Sequence, residues 1–149
     1  IWGDIASGLS QPALMPAPSG YSGTPLPRKL GLKPGQRIFA PGAPSHYREL
    51  LDPLPEGLVW VKRRNARPDF VHVFIADRPV LARELRYWAT VEPALAALWI
   101  SWPKKSSGVP STVTEDVIRE LALPLGWVDI KVCAVDATWS GLRLARRRR

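Results

Sequence analysis

The sequence predicts a small α/β domain: a mixed sheet of about six strands, mostly parallel, flanked by helices and closed by an antiparallel C-terminal hairpin. Three observations predict it. The 149 residues suit one domain, because a second would leave each half near the size at which a hydrophobic core becomes marginal. Short apolar runs alternate with segments of helical spacing between Arg37 and Leu125. The last two strand-like runs, Val128 to Val135 and Thr138 to Ala145, are separated only by Asp136 and Ala137, a gap that allows a hairpin and excludes a crossover.

Taken in order, residues 1–27 read as an arm. From Gln11 to Pro27 the density of Pro, Ser and Gly blocks helix and ladder alike. Leu30 to Gly35 is a turn that leads into a first strand, Arg37 to Ala40, broken by Pro41-Gly42-Ala43-Pro44. Ser45 is the expected N-cap of a short helix carrying Tyr47, Leu50 and Leu51, ended by Pro53. Leu58 to Val61 and Phe70 to Ile75 are the second and third strands. The third is β-branched and aromatic enough to be central and buried. Asp77 is the expected cap of a helix with Pro79 in its first turn and Leu81, Leu85 and Trp88 on one face.

Ala97 to Trp102 is a fourth strand, followed by a loop from Pro103 to Ser111. Thr112 and Glu115 have capping-box spacing, so a further helix should start there, bury Ile118, Leu121, Ala122 and Leu125, and end at Gly126. The folded domain is expected over 28–145, with Arg146 to Arg149 as a basic tail. One joint is short for a parallel crossover: only Lys62 to Pro68 separates the second and third strands.

Composition limits the function classes. A hydrophobic fraction of 46% with 23% charged residues is ordinary for a folded domain. The longest largely apolar stretch, Ala94 to Trp102, is less than half of what a helix needs to cross a bilayer, and no secretory signal pattern opens the chain. The expectation is a cytoplasmic protein without membrane association. One cysteine, Cys133, and two histidines, His46 and His72, are too few for a structural zinc site, so no metal is expected. The net charge is +8, and the four C-terminal arginines supply half of it. The run Lys62-Arg63-Arg64-Asn65-Ala66-Arg67 reads as a solvated loop.

The order of parallel strands closed by an antiparallel hairpin is similar to the class I methyltransferase fold, and Lys33-Pro34-Gly35-Gln36-Arg37-Ile38 resembles the usual approach to that fold's first strand. Three segments, Tyr21 to Leu26, Ser101 to Pro110 and Val132 to Leu142, resemble an uncharacterised bacterial family of short Rossmann-like proteins, a domain of unknown function. The resemblance runs from about Tyr21 to Leu144 and implies a Rossmann-like fold but no reaction. It also sets a test. A methyltransferase of this fold holds S-adenosylmethionine with a Gly-rich turn after the first strand and an acidic side chain after the second. Here the turn has one glycine between two prolines, and Lys62-Arg63 stands where the carboxylate belongs.

Ligands of open α/β sheets gather at the carboxyl ends of the parallel strands, which points to Gly42, Asp77 and the loop Lys104-Lys105-Ser106-Ser107. Two cations and two hydroxyls ahead of a helix N-terminus are the ingredients of an anion site. Trp102 beside these lysines could stack on a base. His72 reads as a satisfied core histidine, Cys133 as a buried small hydrophobe, and no residue is assigned a catalytic role. The expected function is a non-catalytic, methyltransferase-like module without a cofactor that binds an anionic small molecule, nucleotide or nucleic acid. Two alternatives are a methyltransferase dependent on S-adenosylmethionine with an atypical turn, and a scaffold that engages a protein partner or forms a homo-oligomer.

Overall fold

A computed structural model describes residues 23–95 and 97–147. The arm up to Ser22, including Tyr21 of the resemblance, and Arg148 and Arg149 of the tail lie outside the described residues. Within them the chain runs α1 (Leu26–Leu30), β1 (Arg37–Phe39), α2 (Tyr47–Leu50), β2 (Val59–Trp60), β3 (Phe70–Phe74), α3 (Arg78–Ala89), β4 (Ala97–Pro103), α4 (Glu115–Ala122), β5 (Trp127–Ala134) and β6 (Trp139–Arg146), with 3₁₀ turns at Lys105–Ser107 and Leu123–Leu125. The sheet has six strands in the order β2-β1-β3-β4-β6-β5. β2, β1, β3 and β4 are parallel, and β6 is antiparallel to both β4 and β5.

Alternation along the central strands divides the interior into two cores. Val71, Val73, Leu98, Ile100 and Trp102 face α3 and α4, where Leu81, Leu85, Trp88 and Ile118 complete the packing. Phe70, Phe74 and Trp99 face the other way, onto Leu30, Ile38, Tyr47 and Leu51. Every residue of β3 and β4 is buried, because both strands have neighbours on each side and cover on each face. The large indoles are satisfied as well as packed: Trp99 Nε1 donates to the Leu30 carbonyl at 2.8 Å, and Trp127 Nε1 to that of Leu85 at 3.1 Å. Gly141 on β6 sits at a close approach, since a Cβ there would lie 3.3 Å from both the Trp99 ring and Val135 and these side chains would have to give by a few tenths of an ångström.

Several expectations are corrected at element ends. The chain from Leu26 is helical, with Pro27 in the first turn, where its missing N–H costs nothing, and Gly31 closing the helix at φ 75°. α2 starts after His46, so Ser45 is not its cap. Asp77 precedes α3 but its carboxylate makes no cap bond. The Arg78 N–H donates instead to the Thr112 hydroxyl at 2.8 Å. With Thr112 drawn to α3, Thr114 caps α4 by accepting from the Val117 N–H at 3.2 Å. Leu125 lies in the 3₁₀ turn beyond α4 and is exposed. Arg146 belongs to β6 rather than to a tail: its guanidinium donates to the Trp88 carbonyl at 2.7 Å and pairs with Glu92 at 3.1 Å.

The short joint is solved by a short strand. β2 is two residues long, so the chain from Val61 to Asp69 crosses the end of β1 without a helix. It is pinned there by Arg37, whose side chain donates to the Ala66 carbonyl at 2.7 and 3.1 Å and whose N–H donates to the Asp69 carboxylate at 2.9 Å.

His72 sits at the centre of β3 with no exposure. Its Nδ1 is 2.7 Å from the Tyr47 hydroxyl and its Nε2 is 2.7 Å from the Ser101 hydroxyl. A neutral imidazole has one donor and one acceptor nitrogen, so this pair of hydroxyls satisfies it fully. Burial lowers the His72 pKa from 6.5 to about 3 and raises that of Tyr47. At pH 7 the ring is neutral in folded and unfolded chains alike. As pH falls below 6.5 the unfolded chain takes a proton that the folded one refuses until about pH 3. Stability is therefore expected to fall on acidification through that window, by up to ~1.4 kcal/mol per pH unit from this group. Urea unfolding of the wild type and His72→Gln at pH 7 and pH 5 checks it: the variant is less stable at pH 7 and loses less on acidification.

Candidate functional site

The four parallel strands end on one side of the sheet, and a loop leaves each of them there. The turn after β1 folds over the end of β3: the Phe74 N–H donates to the Pro41 carbonyl at 3.2 Å, and Gly42 adopts φ 77°. A Cβ at Gly42 would stand 2.8 Å from the Phe74 carbonyl oxygen. The glycine is thus required by the approach of the turn to the protein's own backbone. The chain reverses direction across the sheet between β1 and β3, the place where such sheets usually open a crevice. Here the Pro41-Gly42 turn packs into it.

The loop after β4 carries four of the expected site residues, Lys104, Lys105, Ser106 and Ser107. The Ser107 hydroxyl donates to the Lys104 carbonyl at 2.6 Å and accepts from the Val109 N–H at 3.2 Å, which ties it into its own turn. The Lys104 N–H donates to the Thr138 carbonyl at 2.8 Å, joining the loop to the β5–β6 hairpin. Lys105 and Ser106 are exposed. The helix dipole invoked for them lies farther along the chain, because α4 begins only at Glu115, with Thr114 as its cap and Glu115 and Asp116 in its first turn. Trp102 is a further correction: it is 7% exposed and packed against the α3–α4 face, so no base can stack on it. Asp77 is exposed and stands apart from these groups.

What the carboxyl side does form is a groove of about 270 Å³ between the turn after β1 and the end of β2. Ala43 and Pro44 make one wall, Tyr47 and Arg48 of α2 the next, and Trp60 with Lys62 the third. The Arg48 guanidinium lies 4.2 Å over the Trp60 ring, and the Tyr47 ring meets Trp60 edge-on at 6.2 Å. The charged groups of the lining are Arg48 and Lys62, both cationic. The Tyr47 hydroxyl turns inward to His72, so the buried Tyr47–His72–Ser101 chain supports the floor of this groove without opening into it.

Sequence reasoning marked Lys62 as a cation in the place of a carboxylate but gave Trp60 no role beyond its strand and passed over Arg48. The residues that follow a parallel strand were the available signal for Trp60 and Lys62. Nothing local marks Arg48. His46 also acts at long range, with Nε2 3.1 Å from the Asp136 carboxylate, whose other oxygen accepts the Thr138 and Trp139 N–H groups of the hairpin turn. Cys133 is half-buried on β5, and burial raises its pKa. Among the described residues no group of three or more His, Cys, Asp or Glu side chains is placed to hold a metal, and no helix is long and apolar enough to cross a membrane.

No protein-family model and no curated protein matches the sequence. Solved structures do match. The chain is similar to a "putative type 11 methyltransferase" from Sulfolobus solfataricus, with a TM-score of 0.54 and 13% identity over 83% of this chain and 90% of that one. It is also similar to a protein of the NADB-Rossmann superfamily from Streptococcus agalactiae (TM-score 0.49, 10% identity, 87% of this chain and 70% of that one). A third is TrmN from Thermus thermophilus (TM-score 0.49, 11% identity, 83% of this chain and 47% of that one). The fold is Rossmann-like, of the class I methyltransferase type.

Gly42→Ala is expected to destabilise the protein by roughly 1–3 kcal/mol, since it combines a left-handed backbone with a clash against a carbonyl. Chemical denaturation measures it. Gly108→Ala, at φ 76° with nothing within 4 Å of its Cβ, carries the conformational part alone and should cost less.

Proposed function

We propose that this chain is a non-catalytic binding module on a methyltransferase-like fold, and that it holds an anionic ligand of nucleotide type in the groove over the ends of β1 and β2. The observation that carries the reading is the lining itself: Arg48 and Lys62 supply positive charge, and the Trp60 ring with the guanidinium stacked on it supplies a flat surface for a base. The groove stands at the carboxyl ends of parallel strands, where α/β sheets bind ligands. Its volume suits a compact ligand such as a nucleoside monophosphate.

The residues do not fit S-adenosylmethionine. Lys62 occupies the place where the resemblance puts the ribose-binding carboxylate, and the turn after β1 is packed on Phe74 instead of standing open as a cradle. The titratable chain beneath the groove supports binding rather than catalysis, because His72 and Ser101 have no exposure and their hydrogen bonds face each other and Tyr47. Exposed Lys105 and Ser106, on the same side of the sheet, are available to a longer polyanion.

The test is thermal unfolding with adenosine monophosphate, adenosine and S-adenosylhomocysteine in turn. A ligand at 100 times its dissociation constant adds about 2.7 kcal/mol, several degrees for a chain of this length. The nucleotide is expected to raise the midpoint and adenosine to do so far less. The shift should be lost in Arg48→Ala and Lys62→Ala and should shrink with added salt. Stabilisation by S-adenosylhomocysteine that survives both substitutions would favour the enzyme alternative. No shift with any of the three would end the nucleotide reading.

A further inference from the structure

A second groove lies at the opposite edge of the sheet, with a volume of about 580 Å³, between α1 and the last residues of β5. Its floor is the strand segment Lys131 to Ala134, and Arg28 and Lys29 of α1 form its wall. The Lys131 ammonium donates to the Lys29 carbonyl at 3.2 Å and joins the two. We propose that this groove accepts an extended acidic segment of a partner protein, which adds to the sheet as a seventh strand beside β5.

Among the described residues the sheet order leaves β5 at the edge, laddered to β6 on one side only. Antiparallel pairs alternate between those that exchange backbone hydrogen bonds and those that do not. The Val135 N–H donates to the Trp139 carbonyl at 2.9 Å, which fixes the phase of this hairpin. Counting back through the register, Cys133 and Lys131 turn their peptide groups toward Gly141 and Arg143. Val132 and Ala134 turn theirs outward, away from β6. The floor is therefore a strand edge with donors and acceptors presented to an incoming strand. Val132 is 46% exposed, so its side chain offers apolar contact to the same visitor.

Charge selects the visitor. Among the described residues the ionisable groups along the groove, apart from the Cys133 thiol, are Arg28, Lys29 and Lys131, all cationic. A second copy of this edge would bring these cations against each other, and the bulge between Asp129 and Lys131 interrupts the edge upstream. Both features discourage self-pairing while leaving an acidic strand favoured. Among the described residues no aromatic ring lines the groove to stack on a nucleic-acid base.

The experiment is fluorescence anisotropy on the full chain with a labelled decapeptide alternating glutamate and valine. Two controls accompany it: the same peptide with every backbone nitrogen methylated, which keeps the charge and removes strand donors, and an unlabelled oligothymidylate of equal charge as competitor. The alternating peptide is expected to bind, and N-methylation, Arg28→Glu or Lys131→Glu each to weaken it roughly tenfold or more. Val132→Pro should weaken it too while leaving the β6 ladder intact, because the lost N–H points outward. Unchanged thermal midpoints for the two exposed-charge variants show that the fold is retained. Equal binding of the N-methylated peptide, equally effective competition by oligothymidylate, or no binding of the alternating peptide would each overturn the proposal. Because the groove at β1 and β2 lies at the other end of the sheet order, Arg48→Ala should leave peptide affinity unchanged.

Discussion

The hydrogen bonds on the two ring nitrogens of His72 tie together the parts that position everything else. Through Tyr47 they hold α2, and with it the turn after β1. Through Ser101 they hold β4 beside β3. The Ser101 hydroxyl in turn lies 3.4 Å from where a Cβ of Gly141 would project, so the hairpin passes close over this polar centre. A buried hydroxyl or imidazole without a partner costs roughly 1–3 kcal/mol, so the three groups are present together or not at all. Phe74 stacks on the imidazole at 4.2 Å and receives Trp139 edge-on at 5.1 Å, extending the same arrangement to the hairpin turn.

This polar centre explains why the carboxyl side of the sheet looks as it does. With Tyr47 committed inward, its ring becomes the inner wall of the groove and presents an edge to Trp60. Trp60 is then free to carry Arg48 on its exposed face. At β1 and β3 the same commitment draws the Pro41-Gly42 turn down onto Phe74. In place of a crevice over β1 and β3, this chain has its groove over β1 and β2. Sequence features that read as a weakened cofactor turn are, in the folded chain, the features of a turn that packs on its own sheet.

The six strands were legible because their signals are local. Phe70 to Ile75 and Ala97 to Trp102 are too apolar to be anything but buried, and Asp136-Ala137 leaves room for nothing but a hairpin. Ends were less legible where two residues competed for one role. Thr112 and Thr114 both sit near the start of α4, and only the fold shows that Thr112 is recruited by the Arg78 N–H. α1 was hidden by its prolines, although Leu26 and Leu30 have helical spacing and a proline is harmless in a first turn. Trp102 could have been placed by alternation alone, since it shares a face with Leu98 and Ile100. The Arg48–Trp60 stack joins residues that no sequence period relates.

The basic run from Lys62 to Arg67 shows how the short crossover distributes charge. As a sequence it is one block of like sign, the pattern of a solvated loop. Folded, its members separate. Lys62 faces the groove, whereas Arg64 turns to the opposite side, pairing with Glu84 and lying 4.0 Å over the Tyr87 ring of α3. Arg67 takes a positive φ of 55° at the bend, just where Arg37 grips the Ala66 carbonyl. A helix in this connection would have carried its charges along an outer face and covered the end of β2. The direct crossing instead leaves Lys62 at the groove, on the same lining as Arg48.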